Sequence, residues 1–281
     1  MEVKFNHVYY VANEKTPLSH LVLGDINITF KEGTINGIIG RSGSGKTTLI
    51  ELINALILPT KGNISVGSKV ISKTRKIKNI NNLRYQIGLV FQFPEEQFFC
   101  KTVKEEIEFG MKYFKKSVKS IEKHVSDALL MVGLDDSYLN RNPYTLSSGE
   151  MRKVAIASIL AFNPKIVILD EPTVGLDNKS KENLIKIIRL LKKRYNKTVI
   201  IVSNDTDMLL EISDHIVLLD KGKIVLEGNK YDVFKQDLEQ YGVKKPKIIE
   251  FEQMVLKEKN IKIGYRDDIN DLMKDVYRYV K

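Results

Sequence analysis

The sequence contains no apolar run long enough to cross a membrane. Its most hydrophobic segments, "KIVILD" and "TVIIVS", have the length of single strands, whereas a spanning helix needs about 18 or more apolar residues. The first residues, "MEVKFNHVYY", lack the basic and then apolar plan of a signal peptide. A single cysteine, Cys100, excludes an intramolecular disulfide and offers no metal-ligand spacing. These absences predict a protein of the cytosol.

The chain also lacks internal repeats, low-complexity linkers and any motif for stacking on nucleic-acid bases. It has 281 residues, of which 43% are hydrophobic and 28% are charged, as is typical of a globular protein with an extensive core. The formal net charge is +10, and the basic residues are scattered. This charge is compatible with a solvated surface, with attraction to an anionic membrane and with nucleic-acid binding. Without a stacking motif, we expect no nucleic-acid partner.

The order of short apolar segments predicts the fold class. The first 35 residues alternate β-type runs with turn signals, which predicts an antiparallel opening. From "TINGIIG" onward strands alternate with helices, which predicts an α/β fold with a mainly parallel sheet covered on both faces. Residues 95–163 are predicted to be mostly helical. After about residue 231 the strands stop, and amphipathic segments around "DVFKQDLEQYGV", "KIIEFEQMVLKE" and "DDINDLMKDVYRYV" predict a small helical appendage.

The segment "GRSGSGKT" fits the phosphate-loop pattern G-x-x-x-x-G-K-[ST] between a predicted strand and a predicted helix. Backbone N–H groups of such a loop and the positive end of the helix bind a polyphosphate. We expect Lys46 to reach the β- and γ-phosphates and Thr47 to ligate Mg²⁺. The predicted nucleoside-triphosphate site comprises Gly40, Arg41, Ser42, Gly43, Ser44, Gly45, Lys46, Thr47 and Thr48.

Two carboxylates close the predicted strand in "KIVILDEP". Parallel sheets place their ligands at the carboxyl ends of the strands. There Asp170 is expected to hold Mg²⁺, and Glu171 to orient or deprotonate the attacking water. An Asp-Glu pair at the end of a strand is also a common turn or cap, so its catalytic interpretation depends on the phosphate loop.

The segment "LSSGEMRKVAIASILAFNPKIVILDEPTVGLD" resembles the signature of ATP-binding-cassette ATPases joined to their second nucleotide motif. The family pattern L-S-G-G-Q corresponds to Leu146, Ser147, Ser148, Gly149 and Glu150. From the residues alone, Ser147 and Glu150 predict a capping box that opens a helix. The resemblance adds a role for this helix end, which in the family faces the γ-phosphate bound by a second subunit.

The resemblance extends over residues 1–230 and implies a P-loop cassette. Gln92 in "LVFQFP" is similar to the residue that ligates the metal and links its site to the transmembrane partner, and Asp177 in "GLD" to the loop that meets its twin across the dimer. The implied cassette has an N-terminal antiparallel β subdomain, a mainly parallel RecA-like sheet and a helical signature subdomain. Residues 231–281 form its helical appendage. Two such cassettes close two ATP molecules between them, head to tail.

A narrower resemblance concerns "VFQFPEEQFF" and "YGVKKPKIIEFEQMVLKEK", which are similar to ATPase subunits of energy-coupling factor transporters, especially the second of the two paired ATPases. It implies an ATP-hydrolysing motor, with ATP and Mg²⁺ as cofactors, of an importer for vitamins or transition-metal ions. The implied partners are a paralogous ATPase, in a heterodimer or less expectedly a homodimer, a transmembrane coupling protein and a substrate-binding membrane protein. The C-terminal segment is expected to add to the dimer contact.

The same resemblance implies a peripheral position at the cytoplasmic face of the cell membrane. A groove beside Gln92 is expected to receive a helix of the coupling protein. The candidate lining residues are Phe91, Phe93, Phe98 and Phe99, although for each one taken alone a place in the core is slightly favoured. The alternatives are an ATPase of another cassette transporter and a soluble cassette protein acting on nucleic acid or the ribosome.

Three features depart from the family pattern. The adenine ring is expected to stack on Tyr10, with Tyr9 as the alternative, although a gapless comparison places Ala12 at a common stacking position. In the signature, Ser148 narrows the approach of a ligand, and Glu150 brings a negative group near a phosphate.

The third departure is Asn204, which stands where the family has a catalytic histidine. That histidine contacts the γ-phosphate and orients the attacking water, whereas an asparagine donates a hydrogen bond but cannot become a cation. Lys46, Asp170 and Glu171 are all present, which argues against an inactive site. The hypothesis is an asymmetric pair, in which the site of this chain is slow and the paralogue's site carries most turnover.

Overall fold

The computed structural model describes residues 1–74, 77, 79–113, 118–261, 274, 277 and 278. Within these residues the strands are β1 Val3–Ala12, β2 His20–Phe30, β3 Ile35–Ile39, β4 Lys61–Val66, β5 Lys69–Ile71, β6 Ile87–Val90, β7 Ile166–Asp170, β8 Thr198–Val202, β9 His215–Asp220 and β10 Lys223–Asn229. The helices are α1 Lys46–Ile53, α2 Ile80–Gln86, α3 Val103–Tyr113, α4 Val118–Met131, α5 Ser148–Leu160, α6 Asn178–Lys193, α7 Thr206–Ile212, α8 Lys230–Phe234 and α9 Lys247–Lys259. Short 3₁₀ turns cover Pro94–Gln97, Asp136–Tyr138, Pro143–Thr145 and Glu239–Tyr241.

The chain opens with an antiparallel sheet, as predicted. Its strand order is β2-β1-β4-β5, and β1 pairs antiparallel with both β2 and β4. Strands β4 and β5 were not predicted as members of this sheet. They follow α1 in the chain, and β4 pairs with β1, which lies before α1. A pairing between segments so far apart leaves no local hairpin signal in the sequence.

The second sheet carries the candidate site and is mainly parallel, as predicted. Its order is β10-β9-β3-β8-β7-β6, in which every neighbouring pair from β9 to β6 is parallel and β10 pairs antiparallel with β9. All residues of β3, β7 and β8 are buried. Because parallel strands end at the same edge, the loops after β3, β7 and β8 lie side by side.

Two hydrophobic cores cover the two faces of this sheet. Alternate residues of β7 contribute to different cores, with Ile166 and Ile168 on one face and Val167 and Leu169 on the other. The core that contains Ile166 and Ile168 also includes α1 and the inner face of the antiparallel sheet. The core that contains Val167 and Leu169 includes the packed faces of α3 to α8. The predicted coverage of both faces is confirmed.

The helical segment between β6 and β7 contains α3, α4 and α5, which pack on one another and agree with the mostly helical prediction for residues 95–163. After β10, the buried residues Phe234, Leu238 and Ile249 belong to the same core as these helices, so the segment up to α9 packs on the cassette. The predicted boundary at residue 230 stays a prediction. The last predicted helical segment, "DDINDLMKDVYRYV", lies almost entirely outside the described residues. Within the described part of the chain, no helix is both long and apolar enough for a membrane crossing.

Candidate functional site

A cavity of about 740 Å³ opens at the carboxyl edge of the parallel sheet. It brings together residues of the phosphate loop, the ends of β7 and β8, and Gln92, which lie far apart in the sequence. The residues that line it are Val22, Ser42, Gly43, Gly45, Lys46, Thr47, Thr48, Gln92, Asp170, Glu171, Thr173, Val174, Val202, Asn204 and Asp205. A cavity of this size falls in the range of small-molecule sites, which is about 300–1,000 Å³.

The phosphate loop connects β3 with α1 and requires glycine where it passes the sheet. Gly40 has a φ of 151°, and a Cβ there would lie 2.2 Å from the carbonyl oxygen of Leu219. Gly45, which precedes α1, has a φ of 102°. No side chain caps the N-terminus of α1, and its first turn contains no acidic residue. The loop therefore presents backbone N–H groups and a helix end to the cavity.

Lys46 is folded back onto the loop. Its ammonium donates to the carbonyl oxygens of Gly40 at 2.5 Å and Arg41 at 3.1 Å. Burial lowers the pKa of Lys46, whereas Glu171 and Asp170 oppose that change. A phosphate entering the cavity could therefore accept hydrogen bonds from an ammonium that the loop already holds in place.

Asp170 and Thr47 meet at the centre of the site. The Thr47 hydroxyl Oγ1 donates to Asp170 Oδ2 at 3.2 Å. Burial raises the pKa of Asp170, and the Thr47 hydrogen bond and the Lys46 charge work against this rise. Carboxylate, hydroxyl and amide oxygens are hard ligands of the type that Mg²⁺ accepts. With Gln92 lining the same cavity, the donor set fits the predicted cation.

Glu171 is held by the loop that follows β8. Asn204 Nδ2 donates to Glu171 Oε1 at 2.7 Å, the Asn204 backbone N–H donates to Oε2 at 3.2 Å, and the Ser203 hydroxyl donates to Oε2 at 3.3 Å. Burial raises the pKa of Glu171, which the Asn204 backbone hydrogen bond and Lys46 oppose. The side-chain amide of Asn204 is thus engaged with the carboxylate of the expected catalytic base.

The signature residues form the predicted capping box at the start of α5. Ser147 accepts from the Glu150 N–H through its hydroxyl, and the Glu150 carboxylate accepts from the Ser147 N–H at 2.9 Å. The Tyr138 hydroxyl also donates to Glu150, at 2.7 Å. These hydrogen bonds, that of Tyr138 first, lower the pKa of Glu150 to about 2. Ser147, Ser148, Gly149 and Glu150 do not line the cavity.

Several further predicted residues do not line the cavity. Asp177 is exposed and caps α6, where its carboxylate accepts from the Ser180 N–H at 2.8 Å. Tyr10 is half-buried, packs against the core under the antiparallel sheet and does not line the cavity. Its expected stacking on adenine stays a prediction. Gly40, Arg41 and Ser44, although part of the phosphate loop, are also absent from the lining.

The sequence analysis missed five lining residues of this cavity. Ser203 was missed too, although its hydroxyl contacts Glu171. Ser203 and Asp205 could have been found, because they flank Asn204 at the end of a predicted parallel strand. Val22 carried no such signal, since its approach depends on how the two sheets pack. The missed lining residues are Val22, Thr173, Val174, Val202 and Asp205.

The phenylalanines near Gln92 divide between core and surface. Phe98 is buried, and Phe91 and Phe93 are half-buried. Phe99 is 61% exposed and makes an edge-to-face contact with the exposed Phe109, with ring centroids 4.6 Å apart. A second cavity of about 140 Å³ is lined by Phe91, Phe98 and Phe99, among other residues. Phe93 does not line it.

Comparison with known proteins agrees with this geometry. The family described as "ABC transporter" matches residues 23–174. The energy-coupling factor transporter ATP-binding protein EcfA2 of Enterococcus faecalis is 40% identical over 236 residues, which cover 84% of this chain and 82% of that protein. The EcfA2 protein of Spiroplasma kunkelii is 41% identical over 251 residues, or 88% of this chain and 82% of that protein.

Two solved structures show the same architecture. The cbiO1 protein of Clostridium perfringens, described as part of the ABC transporter complex cbiONQ, has a TM-score of 0.76 and 30% identity, covering 91% of this chain and 94% of that one. The ATP-binding cassette MJ0796, solved as a dimer with ADP and Pi, has a TM-score of 0.71 and 29% identity, covering 81% of this chain and 98% of that one. The chain therefore belongs to the ABC transporter family and, within it, to the ATP-binding proteins of energy-coupling factor transporters.

Proposed function

We propose that this chain is the ATP-hydrolysing motor subunit of an energy-coupling factor importer and works at the cytoplasmic face of the cell membrane. The observation that carries the proposal is the single cavity that brings Lys46, Asp170 and Glu171 together with an uncapped helix end. The relatives that are named as ATP-binding proteins of such transporters support the same function.

ATP binds with its phosphates on the loop of residues 40–47. The Lys46 ammonium exchanges its contacts with the loop carbonyls for the β- and γ-phosphates, and the backbone N–H groups at the start of α1 donate to the same phosphates. Thr47, Asp170 and Gln92 would hold Mg²⁺, which neutralises charge on the phosphates when it is bound. Tyr10 remains the proposed stacking partner of adenine.

Glu171 is the catalytic base or the orienting group for water. The attacking water transfers a proton to the Glu171 carboxylate as its oxygen bonds to the γ-phosphorus, and the bond to the bridging oxygen of ADP breaks. The hydrogen bonds from Asn204 and Ser203 fix this carboxylate in one orientation. A base held in place before the reaction has less orientational freedom to lose.

A second subunit completes the site. The signature at the start of α5 does not line this chain's own cavity, which supports a head-to-tail pair in which the signature faces the other subunit's ATP. Asp177 lies at the exposed loop proposed to meet its twin. The partner is a paralogous ATPase, with a second copy of this chain as the alternative, and the C-terminal segment adds to the contact.

The membrane-embedded partners are a transmembrane coupling protein and a substrate-binding protein for vitamins or transition-metal ions. Exposed aromatic side chains at Phe99 and Phe109, beside the cavity lined by Phe91 and Phe98, offer an apolar place for a helix of the coupling protein. Phe98 itself is a core residue and supports this surface from beneath.

Asn204 makes the pair asymmetric in this proposal. A hydrogen bond to a charged group contributes about 1.5–3 kcal/mol. Losing one in the transition state slows hydrolysis by about tenfold to somewhat over a hundredfold. The Asn204 amide donates to Glu171, so it is not free for the γ-phosphate unless that contact is exchanged. The paralogue's site then carries most of the turnover.

Steady-state ATPase activity tests the proposal. The chain should show little activity alone and should turn over ATP when it is assembled with its paralogue and membrane subunits. Glu171→Gln should leave ATP binding intact and remove only the slow site, whereas the matching change in the paralogue should remove most turnover. Glu211→Gln, at an exposed position on α7, is the control. Absence of ATP binding would contradict the function, and equal losses from the two changes would contradict only the asymmetry.

A further inference from the structure

Arg152 is a buried arginine that the catalytic mechanism leaves without a role. It lies in the first turns of α5, two residues beyond Glu150, and is only 2% exposed. Its guanidinium donates to Glu95 Oε1 at 2.9 Å and to the carbonyl oxygens of Pro172 at 3.3 Å and Val174 at 3.2 Å. It also lies 5.9 Å from the centroid of the Phe93 ring.

These contacts connect two segments of the nucleotide site with the signature helix. Glu95 lies in the 3₁₀ turn Pro94–Gln97, which begins two residues after Gln92. Pro172 and Val174 follow the catalytic Glu171, and Val174 lines the nucleotide cavity. Arg152 itself belongs to the signature helix. One side chain of the signature helix therefore contacts both the Gln92 segment and the Glu171 segment.

Stability alone is a poor explanation for a charge in this place. Burying an ion pair requires desolvation of both charges, and well-packed apolar residues often stabilise the same position equally well. An arginine differs from an apolar residue in presenting donors in a rigid planar fork, which fixes the directions of several acceptors at once. The arrangement thus favours a role in fixing the relative position of the three segments.

Two strained residues stand next to these contacts. Phe93 has a φ of 51° and Glu171 has a φ of 44°, so both non-glycine residues occupy the left-handed region. Such residues persist only when the surrounding structure holds them there, and each lies within two residues of a group that Arg152 contacts. The guanidinium is therefore placed to hold the turn after Gln92 and the turn at Glu171 in their present conformations.

We propose that Arg152 is a positioning residue that couples the Gln92 segment, where a membrane partner docks, to the catalytic carboxylate of Glu171. The partner docking in this statement rests on the proposed function; the mechanical link between the three segments does not. A displacement of the 3₁₀ turn moves Glu95, the guanidinium follows its ion-pair partner, and the backbone at Pro172 and Val174 moves with it. The orientation of Glu171 then depends on what the Gln92 segment contacts.

Conservative variants test this link while keeping a hydrogen-bonding group at each of the two positions. Arg152→Lys keeps the charge and loses the planar fork, and Glu95→Gln keeps the shape and loses the charge. The matched controls are Arg189→Lys and Glu211→Gln, because Arg189 and Glu211 form an ion pair with the same 2.9 Å separation but with side chains that are 44% and 42% exposed. Thermal unfolding and ATP affinity are measured for all four variants. ATP affinity should stay near the wild-type value in all of them, and the unfolding temperature should stay there in the two controls and fall in the variants at Arg152 and Glu95, which disturb a buried ion pair.

The first readout requires no partner. Hydrogen exchange followed by mass spectrometry should show faster exchange of the backbone amides at residues 173–177 in the Glu95→Gln chain, far from the substitution in the sequence, and unchanged exchange in the control variants. The second readout is the ATPase activity of this chain's own site, measured in an assembled transporter whose paralogue carries the change that matches Glu171→Gln, so that the paralogue's turnover does not mask it. Misplacing a catalytic group by about 1 Å lowers rates up to about a hundredfold, so we expect kcat to fall by about tenfold or more with KM within about twofold.

The two substitutions should also depend on each other. If both break one link, the Arg152→Lys and Glu95→Gln double variant should lose about as much kcat as either single variant. Unchanged exchange at residues 173–177 together with unchanged kcat would overturn the proposal, as would losses of stability, ATP affinity and kcat in parallel. If wild-type chain in the assembly shows no ATPase activity, the proposed function fails, and the exchange experiment still decides whether the link exists.

Discussion

The N-termini of α1 and α5 differ in how their free backbone N–H groups are satisfied. The N-terminus of α1 follows Gly45, has no side-chain cap and no acidic residue in its first turn. The N-terminus of α5 has a complete capping box between Ser147 and Glu150, and Tyr138 donates a further hydrogen bond to Glu150. The N–H groups at the first helix end are left for a ligand or water, whereas the second end already receives hydrogen bonds from its own chain.

This difference indicates which half of the nucleotide site can bind alone. The α1 end, with Lys46 beside it, is ready to hold phosphates within one chain. The capping box holds the N-terminus of α5 in one conformation without a partner, and the ionised Glu150 carboxylate places a negative charge there. We therefore expect ATP binding to be a property of the single chain and closure at the signature to require the second subunit.

Gly40→Ala should have the largest effect on this comparison. The new Cβ would lie 2.2 Å from the Leu219 carbonyl oxygen, at a φ of 151°, so the loop must move away from the sheet. We expect the free energy of unfolding to fall by about 3 kcal/mol and ATP binding to weaken. Gly43→Ala is the control, because nothing lies within 4 Å of its Cβ and only its φ of 77° opposes the change. Urea unfolding measures both variants, and equal losses of unfolding free energy would contradict the steric argument; nucleotide titration measures the affinity of Gly40→Ala against the wild-type chain.

Lys46→Met should weaken ATP binding without unfolding the chain. The ammonium supplies charged hydrogen bonds to the phosphates, each contributing about 1.5–3 kcal/mol, so the Kd should rise by about tenfold to somewhat over a hundredfold. Lys186→Met, on the exposed face of α6, removes a similar charge away from the site. Titration with a fluorescent ATP analogue checks both. If the two Kd values match, Lys46 does not bind the phosphates.

Ser147→Ala should act on the stability of the chain more than on ATP binding by the single chain. It removes the hydroxyl that accepts from the Glu150 N–H, and the loss of such a cap lowers the free energy of unfolding by about 1 kcal/mol. The neighbouring Ser148→Ala should change stability by less than about 0.5 kcal/mol. Chemical denaturation measures both, and an affinity loss in the single chain would place the signature in this chain's own site.

Glu150→Gln should have the smallest effect, visible as a change in pH dependence. The folded-state pKa of Glu150 is about 2, below its ordinary value of 4.5, so its contribution to stability is present above about pH 4.5 and declines as the pH falls toward 2. Between pH 6 and pH 4, the wild-type chain should therefore lose slightly more stability than the variant. Parallel pH curves in urea unfolding would show that Glu150 contributes nothing through its charge.

The parts of the site that were predictable are those whose residues interact with sequence neighbours or lie at the ends of adjacent parallel strands. The phosphate loop, the Asp170 and Glu171 pair and the capping box all follow from short spacings and from the rule that parallel strands end at one edge. The structure places them as those spacings require.

Features that depend on packing between distant segments were not predictable. Pairing of β4 with β1, the approach of Val22 to the cavity and the contacts of Arg152 all join segments whose sequences carry no mutual signal. The hydrogen bond from the Tyr138 hydroxyl to Glu150 was likewise not predictable. The predicted capping box already gave the Glu150 carboxylate a donor in Ser147, and only the packed structure adds the Tyr138 hydroxyl.

The position of β3 has a consequence for the order of folding. This strand leads directly into the phosphate loop, yet its neighbours in the sheet are β8, Thr198–Val202, and β9, His215–Asp220. During synthesis, residues 35–47 therefore leave the ribosome long before the strands that flank them exist. Chains whose contacts span long stretches of sequence fold slowly, and unpaired apolar strands aggregate while they wait. The ability to bind nucleotide should accordingly appear late and abruptly, once the chain has been made past residue 220.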